Sequence, residues 1–212
     1  LVGSEMCIRD RKYAVLHEPG DIVTLAGTRF VVLDVERRGS LPDSLFLLAL
    51  ESVGASEFGS SNNYAESDLK KAVDKWLEDM GKRGLDNAKL IPREIDLTTL
   101  DGSGCYGKLS VKAAPLTLDE AREYADIIPN AERWCWLATG WSGPSKSDGD
   151  LALYVNSNGD WYSYYCSYSF GIRPALKVPS ILFEDSEAGL DLSKIPTDDL
   201  LQEIHRRLAE KA

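Results

Sequence analysis

The residue types that most often carry catalysis or hold a metal are few in this chain and widely spaced. They are Cys7, Cys105, Cys135 and Cys166, together with His17 and His205. No two cysteines form a CxxC pair and the histidines lie near opposite ends, which is not the spacing of a zinc site. A nucleophile also needs a neighbouring base. We therefore predict no catalytic residue, metal or cofactor, and reduced thiols, with a Cys135–Cys166 disulfide as the open alternative.

Oxygen-bearing side chains in the second half of the chain offer a different chemistry. Asp148, Asp150 and Asp160 lie close in sequence to Asn156 and Asn158, and carboxylate and amide oxygens are the ligands that calcium prefers. Their spacing is not that of an EF-hand loop. A solvated acidic loop is the preferred interpretation, and calcium binding is the alternative.

The strongest chemical signal is aromatic. Ten of the nineteen aromatic residues lie between Trp134 and Phe170. Tyrosines alternate irregularly with serines over residues 160–170, so both sides of an extended segment would carry rings with polar tips. Tyrosine supplies stiff contact area and serine supplies hydrogen bonds, as in adaptable binding surfaces. The alternative is a partly buried sheet whose hydroxyl groups are satisfied locally.

We predict a surface that binds a protein or glycan ligand through rings, hydroxyls and amides. Its residues are Trp141, Ser142, Tyr154, Asn156, Trp161, Tyr162, Tyr164, Tyr165 and Tyr168. Trp134 and Trp136 share one face of a strand, and we assign both to the core. Arg173 is predicted to pair with a carboxylate and so pin the last strand, rather than to bind a ligand.

The elements that must position these residues follow from periodicity and turn signals. Apolar runs predict strands over residues 21–25, 30–35, 45–50, 134–137, 151–156 and 160–170, with a closing segment at 171–178. The first three form an antiparallel meander, with a short turn at residues 26–28. Asn158-Gly159 predicts a hairpin with a type I′ turn, because both central residues of that turn need positive φ.

Two helices are predicted between the strand regions. Ser67 is an N-cap, and Thr117 with Glu120 forms a capping box for a helix that ends before Pro129. The apolar stripes are Leu69, Val73, Trp76 and Leu77 in the first helix, and Leu118, Ala121 and Ala125 in the second.

Composition limits the partners and the domain layout. The chain has 212 residues and a net charge of −10, which disfavours nucleic acid and anionic membrane surfaces, and no apolar run is long enough for a membrane span. Residues 1–11 fit nothing that follows and are interpreted as a non-native leader. The domain is predicted over residues 12–180, and residues 181–212 as an acidic linker and an amphipathic helix through which the chain could self-associate.

Several short motifs together resemble a known family. Residues 30–34 read FVVLD, residues 115–120 read PLTLDE, residues 134–137 read WCWL and residues 171–176 read GIRPAL. The series resembles an uncharacterised domain family of bacteria and their phages, with a WWLRS-like strand and a GVRPAL-like ending. The resemblance covers about residues 20–178. That family resembles the C-type-lectin-like fold of formylglycine-generating enzymes and of variable proteins of diversity-generating retroelements.

The resemblance implies a fold and three possible functions. The fold would be α+β and C-type-lectin-like, with antiparallel sheets, two flanking helices and the helical tail. The chain would be a non-catalytic ligand-binding protein, and diversification by a retroelement is one option within that function, since residues 162–170 are all types reachable from adenine-mutated codons. The alternatives are a formylglycine-generating-type oxidase and a phage or cell-surface assembly component. A cytoplasmic or virion-associated location is preferred to secretion.

Overall fold

Strands alternate with two helices along the chain in the computed structural model, which describes residues 17–38, 41–146 and 148–183. The strands are β1 (Ile22–Leu25), β2 (Thr28–Arg38), β3 (Leu41–Ala49), β4 (Ala55–Glu57), β5 (Arg93–Asp96), β6 (Lys108–Val111), β7 (Ala113–Ala114), β8 (Cys135–Gly140), β9 (Leu151–Val155), β10 (Trp161–Tyr165), β11 (Ser169–Gly171) and β12 (Ala175–Pro179). The helices are α1 (Asp68–Lys82) and α2 (Leu118–Glu123). The predicted leader and the predicted tail helix lie outside the described residues.

Residues 17–179 form one unit, which is α+β as predicted. A second unit contains residues 180–212 and is described only at the 3-10 helix Ser180–Phe183. In the described part of the chain, no helix is both long and apolar enough to cross a membrane.

Two five-stranded sheets build the larger unit. The first has the order β1-β2-β3-β12-β7 and is antiparallel throughout, which confirms the predicted opening meander. The second has the order β10-β9-β8-β11-β4 and is antiparallel except where β11 runs parallel to β8. A two-stranded ribbon of β5 and β6 stands apart from both. The main core lies between the two large sheets and α2, and contains Val31, Leu33, Leu48, Leu116, Leu118, Ala121, Leu137, Leu153 and Ala175.

The helix signals are confirmed at the N-termini and modified further along. Ser67 Oγ accepts a hydrogen bond from the Lys70 amide at 2.9 Å, and α1 buries Leu69, Val73, Trp76 and Met80. Both hydrogen bonds of the predicted capping box at Thr117 are formed. However, α2 ends at Glu123, so Ala125 lies beyond the helix and is exposed instead of facing the core.

The hairpin is present, but its turn differs from the prediction. Five residues join β9 to β10, and only Gly159 among them has positive φ, at 89°. Asn156 Oδ1 accepts hydrogen bonds from the amides of Asn158 (2.8 Å) and Asp160 (3.0 Å), which stabilises the longer loop. The two-residue turn with positive φ at both positions lies at Ala26 (46°) and Gly27 (75°).

The tyrosine-rich segment also divides into two strands. The chain leaves β10 after Tyr165 and re-enters the sheet as β11, on the other side of β8. Cys166 fixes the break: its amide donates to Asp150 O at 2.8 Å, and its carbonyl accepts from the Phe58 amide at 2.9 Å. The prediction of a single strand over residues 160–170 is therefore wrong.

Candidate functional site

One side of the second sheet is a continuous surface of rings, the aromatic face, defined here as Trp134, Trp136, Tyr154, Tyr162, Tyr164, Tyr168 and Phe170. The strand register produces it. Tyr154 on β9 is directly opposite both Tyr162 on β10 and Trp136 on β8. Tyr164 lies two residues from Tyr162 and so projects on the same side. The alternating residues, such as Leu137 and Leu153, enter the main core instead.

Trp136 and Tyr154 are the buried members of the aromatic face, and the other rings pack around them. Trp136 is 1 % exposed and its Nε1 donates to Ser56 O at 3.0 Å. Its ring centroid lies 4.5 Å from that of Phe170 and 5.5 Å from that of Phe58, which is fully buried. Tyr154 is 6 % exposed. These rings are fixed by packing and form a rigid base.

The outer rings of the aromatic face reach solvent and contact either this base or Tyr164. Trp134 stacks on Tyr154 with centroids 5.1 Å apart and planes inclined by 22°. Tyr162 lies 6.0 Å from Tyr154, and Tyr168 lies 4.5 Å edge-on to Tyr164. Trp134, Tyr162 and Tyr168 are 43 %, 51 % and 50 % exposed. Each of the three rings therefore exposes a large apolar surface to water, while another part of the same ring packs against a neighbouring ring.

The hydroxyl groups of Tyr154 and Tyr164 are neutral hydrogen-bonding groups. Burial, followed by the neighbouring Tyr162 and Tyr164, raises the pKa of Tyr154. A hydrogen bond with Tyr168, followed by the charge that Tyr168 would carry, raises the pKa of Tyr164. Because these phenols stay protonated at neutral pH, each can donate as well as accept a hydrogen bond.

Two of the predicted surface residues, Trp161 and Tyr165, lie on the other side of β10. They alternate with Tyr162 and Tyr164 along the strand. Trp161 is half-exposed, and the Arg122 guanidinium carbon lies 5.7 Å from its ring centroid. Tyr165 is exposed and contacts Tyr164 edge-on at 6.1 Å. They extend the ring-rich area around the edge of the sheet without joining the aromatic face.

Trp141, Ser142 and Asn156 lie away from the aromatic face. Trp141 is partly buried and packs against the main core. Ser142 is buried, because the Asn62 side chain draws its loop inward by donating to Ser142 O at 2.9 Å. Asn156 is partly exposed but uses its side-chain oxygen in the hairpin loop. The structure thus corrects the prediction that Ser142 lies on the surface, and the same holds for the buried ring of Tyr154.

The predicted surface lacked three members of the aromatic face: Trp136, which was assigned to the core and is indeed buried, and Trp134 and Phe170. Trp134 was assigned to the core with Trp136, but it precedes β8, where no strand covers its outer side. Phe170 lies 4.9 Å from Tyr154 and 5.5 Å from Trp134, so it joins the inner and outer rings. The two-residue spacing of the tryptophans signalled a shared face, but not how deeply each is buried.

The residue types that could perform catalysis are buried or separated. Burial is the main cause that raises the pKa of Cys135 to about 11 and that of Cys166 to about 12, and both carry free thiols. A protonated, buried thiol is a poor nucleophile and metal ligand. Within residues 17–38, 41–146 and 148–183, no three His, Cys, Asp or Glu residues cluster as a metal site.

Comparison of the chain with protein-family models, with curated proteins and with solved structures finds no match in any of the three.

Proposed function

We propose that this domain is a non-catalytic binding module that holds a protein or glycan ligand on its aromatic face. The observation that carries the proposal is the half-exposure of Trp134 and Tyr162, which contact the buried ring of Tyr154, and of Tyr168, which contacts Tyr164. Each such ring has about 200 Å² to bury, so three half-exposed rings leave about 300 Å² of aromatic area in water. A patch of that size is comparable to the largest apolar patch of a typical soluble monomer, which is often functional.

The packing beneath the outer rings favours binding. A ring already held along one edge has lost much of its rotational freedom, so immobilising it in a complex costs less. The hydroxyl of Tyr162 and those of the Tyr164–Tyr168 pair add polar groups around the apolar area. Rings with hydroxyl tips suit both the apolar faces and hydroxyl groups of a sugar and the mixed surface of a protein.

We further propose that the fold is C-type-lectin-like and that the chain is a variable protein of a diversity-generating retroelement. Support comes from the family resemblance, from the α+β architecture and from the location of residues 162–170. That segment supplies Tyr162, Tyr164, Tyr168 and Phe170 to the aromatic face. The genomic test is a neighbouring reverse transcriptase gene with a near-copy of the codons for residues 141–173 that differs only at adenines.

A binding screen tests the function itself. The wild-type chain is screened against a glycan array and against a display library of bacterial surface proteins. The double variant Tyr162→Ala/Tyr168→Ala is then measured against each captured ligand, with Ile22→Ala/Leu100→Ala as the control, because those two residues are also exposed and apolar but lie outside the aromatic face.

We expect the tyrosine variant to lose at least tenfold in affinity, since each ring in an aromatic contact contributes about 1 kcal/mol or more. The control should bind as the wild type does. Ligand capture that survives loss of both tyrosines, with the fold intact, would move the binding site elsewhere.

A further inference from the structure

A small pocket opens on the opposite side of the second sheet from the aromatic face. It lies among β8, β9, α2 and the segment that follows α2, and its volume is about 80 Å³. Its walls are mainly apolar and include Leu116, Ala121, Ile128, Val155 and Trp161. It shares no outer ring with the aromatic face, so an inference about its ligand stands independently of the proposed function.

Arg173 gives this pocket a buried positive charge. The residue lines the pocket and is only 7 % exposed. Its Nε donates to Ala49 O at 2.7 Å and its Nη1 donates to Pro129 O at 2.9 Å, so backbone carbonyls hold it in place of the carboxylate that was predicted as its partner. Its Nη2 is buried and has no hydrogen-bond partner in the described part of the chain.

The charge of Arg173 also lacks a counter-ion. No carboxylate of the described residues forms an ion pair with it. Burial lowers the pKa of Arg173, with Cys135 as the opposing influence on that pKa. A guanidinium stays charged in proteins, and a buried charge is stable only when it is paired or fully hydrogen-bonded. Two carbonyl oxygens satisfy part of this requirement and leave one nitrogen for an outside group.

We propose that the pocket binds a short aliphatic monocarboxylate of the size of acetate or propionate. One carboxylate oxygen accepts a hydrogen bond from Arg173 Nη2, and the alkyl group packs on Leu116, Ile128 and Val155. A charge-assisted bond of this kind is among the stronger polar contacts. Size sets the limit on the tail, since an apolar cavity of about 150 Å³ holds benzene, and this pocket is about half as large.

The ligand can enter from one side. Ala125, Asn130 and Trp161 are the lining residues with clear exposure, so they mark where the pocket meets solvent. Gly159 lies beside Asn130, whose Oδ1 is only 2.9 Å from the position that a Cβ at residue 159 would take. A side chain at this glycine would therefore crowd the entrance.

Titration of the full chain with sodium propionate, followed by ¹H–¹⁵N NMR, tests the proposal. A ligand of five non-hydrogen atoms is limited to micromolar or weaker affinity, so the titration extends through the millimolar range. We expect saturable shifts of the Trp161 indole and Arg173 Nε signals. Propionamide, the neutral isostere, should bind at least tenfold more weakly because it lacks the charge, and hexanoate should not bind because its tail exceeds the volume.

Two variants that replace an alanine with leucine test where propionate binds, without changing Arg173. Ala125→Leu narrows the entrance and should weaken propionate binding at least tenfold, whereas Ala88→Leu alters an equally exposed alanine far from the lining and should leave it unchanged. No saturable shift with propionate would mean that the pocket holds only water and would overturn the proposal. Equal binding of propionamide, or equal effects of the two variants, would overturn it as well.

Discussion

Replacing Tyr154 with alanine removes the buried ring at the centre of the aromatic face, whereas replacing Tyr162 removes a half-exposed ring that contacts it. The two variants should therefore differ in stability. Tyr154 is buried and contacts five other rings, at centroid distances from 4.9 to 6.4 Å. Truncating a buried large aromatic ring costs about 3–5 kcal/mol. Because the neighbouring rings also lose edge-on and stacked contacts, we expect the free energy of unfolding to fall by about 4 kcal/mol.

The corresponding loss for Tyr162→Ala is much smaller. The side chain is 51 % exposed, so about 100 Å² is buried, which corresponds to about 2 kcal/mol once the compactness of the unfolded chain is taken into account. The rotamer freedom recovered by truncation offsets about 1 kcal/mol of that, and we expect a net loss of about 1 kcal/mol.

Urea unfolding followed by circular dichroism measures both free energies, and unchanged m-values would support a two-state comparison. Ile22→Ala serves as the control, because Ile22 is exposed to a similar extent on the first sheet. If Tyr162→Ala cost as much as Tyr154→Ala, the outer rings would be part of a covered core. The proposed ligand surface would then not exist.

Three further predictions concern other parts of the chain. Ala26 has a φ of 46°, so Ala26→Asn should raise the free energy of unfolding by about 1 kcal/mol, as measured by urea unfolding. Cys105 should react with a thiol reagent in the native protein, whereas Cys135 and Cys166 should react only after denaturation, because they are buried and their pKa values are raised to about 11 and about 12. A hydrogen bond from Lys146 holds the pKa of Asp101 at about 2, below its ordinary 3.8. This carboxylate therefore stabilises the fold fully above pH 3.8, and its contribution is lost as the pH falls through 2. Asp101→Asn should therefore be less stable than the wild type at pH 6 and equally stable near pH 2.

Structural features set by residues three or four positions apart were predictable from the sequence. The cap at Ser67 and the capping box at Thr117 depend on residues three positions away, and both are formed. The helix that follows Thr117 is shorter than predicted: it ends at Glu123, and the next residues form a turn in which Tyr124, Ile127 and Ile128 still pack against the main core. The opening meander was predictable because the strands are consecutive and their turns are short.

Features that depend on a competing local hydrogen bond or on distant partners were not predictable. Asn158-Gly159 has the composition of a type I′ turn, but the side chain of Asn156 stabilises a longer loop. The break in the tyrosine-rich segment is imposed at Cys166 by backbone groups of Asp150 and Phe58, far away in sequence. Likewise, the two-residue spacing of Trp134 and Trp136 predicted that they share one face of a strand. The spacing could not show that the first ring is exposed and the second is buried, because burial depends on distant partners.

The two levels of ring burial bear directly on the proposed function. If the residues of a binding surface differ between variants of one protein, replacing those residues must leave the fold intact. The buried rings beneath the surface must then stay the same in every variant. Tyr162 and Tyr168 are half-exposed and lie within residues 162–170, whereas Trp136 and Tyr154 are buried and lie outside that segment. Replacement at the outer positions should thus alter the ligand at a cost of about 1 kcal/mol each. Replacement at the inner positions should unfold the base on which every variant depends.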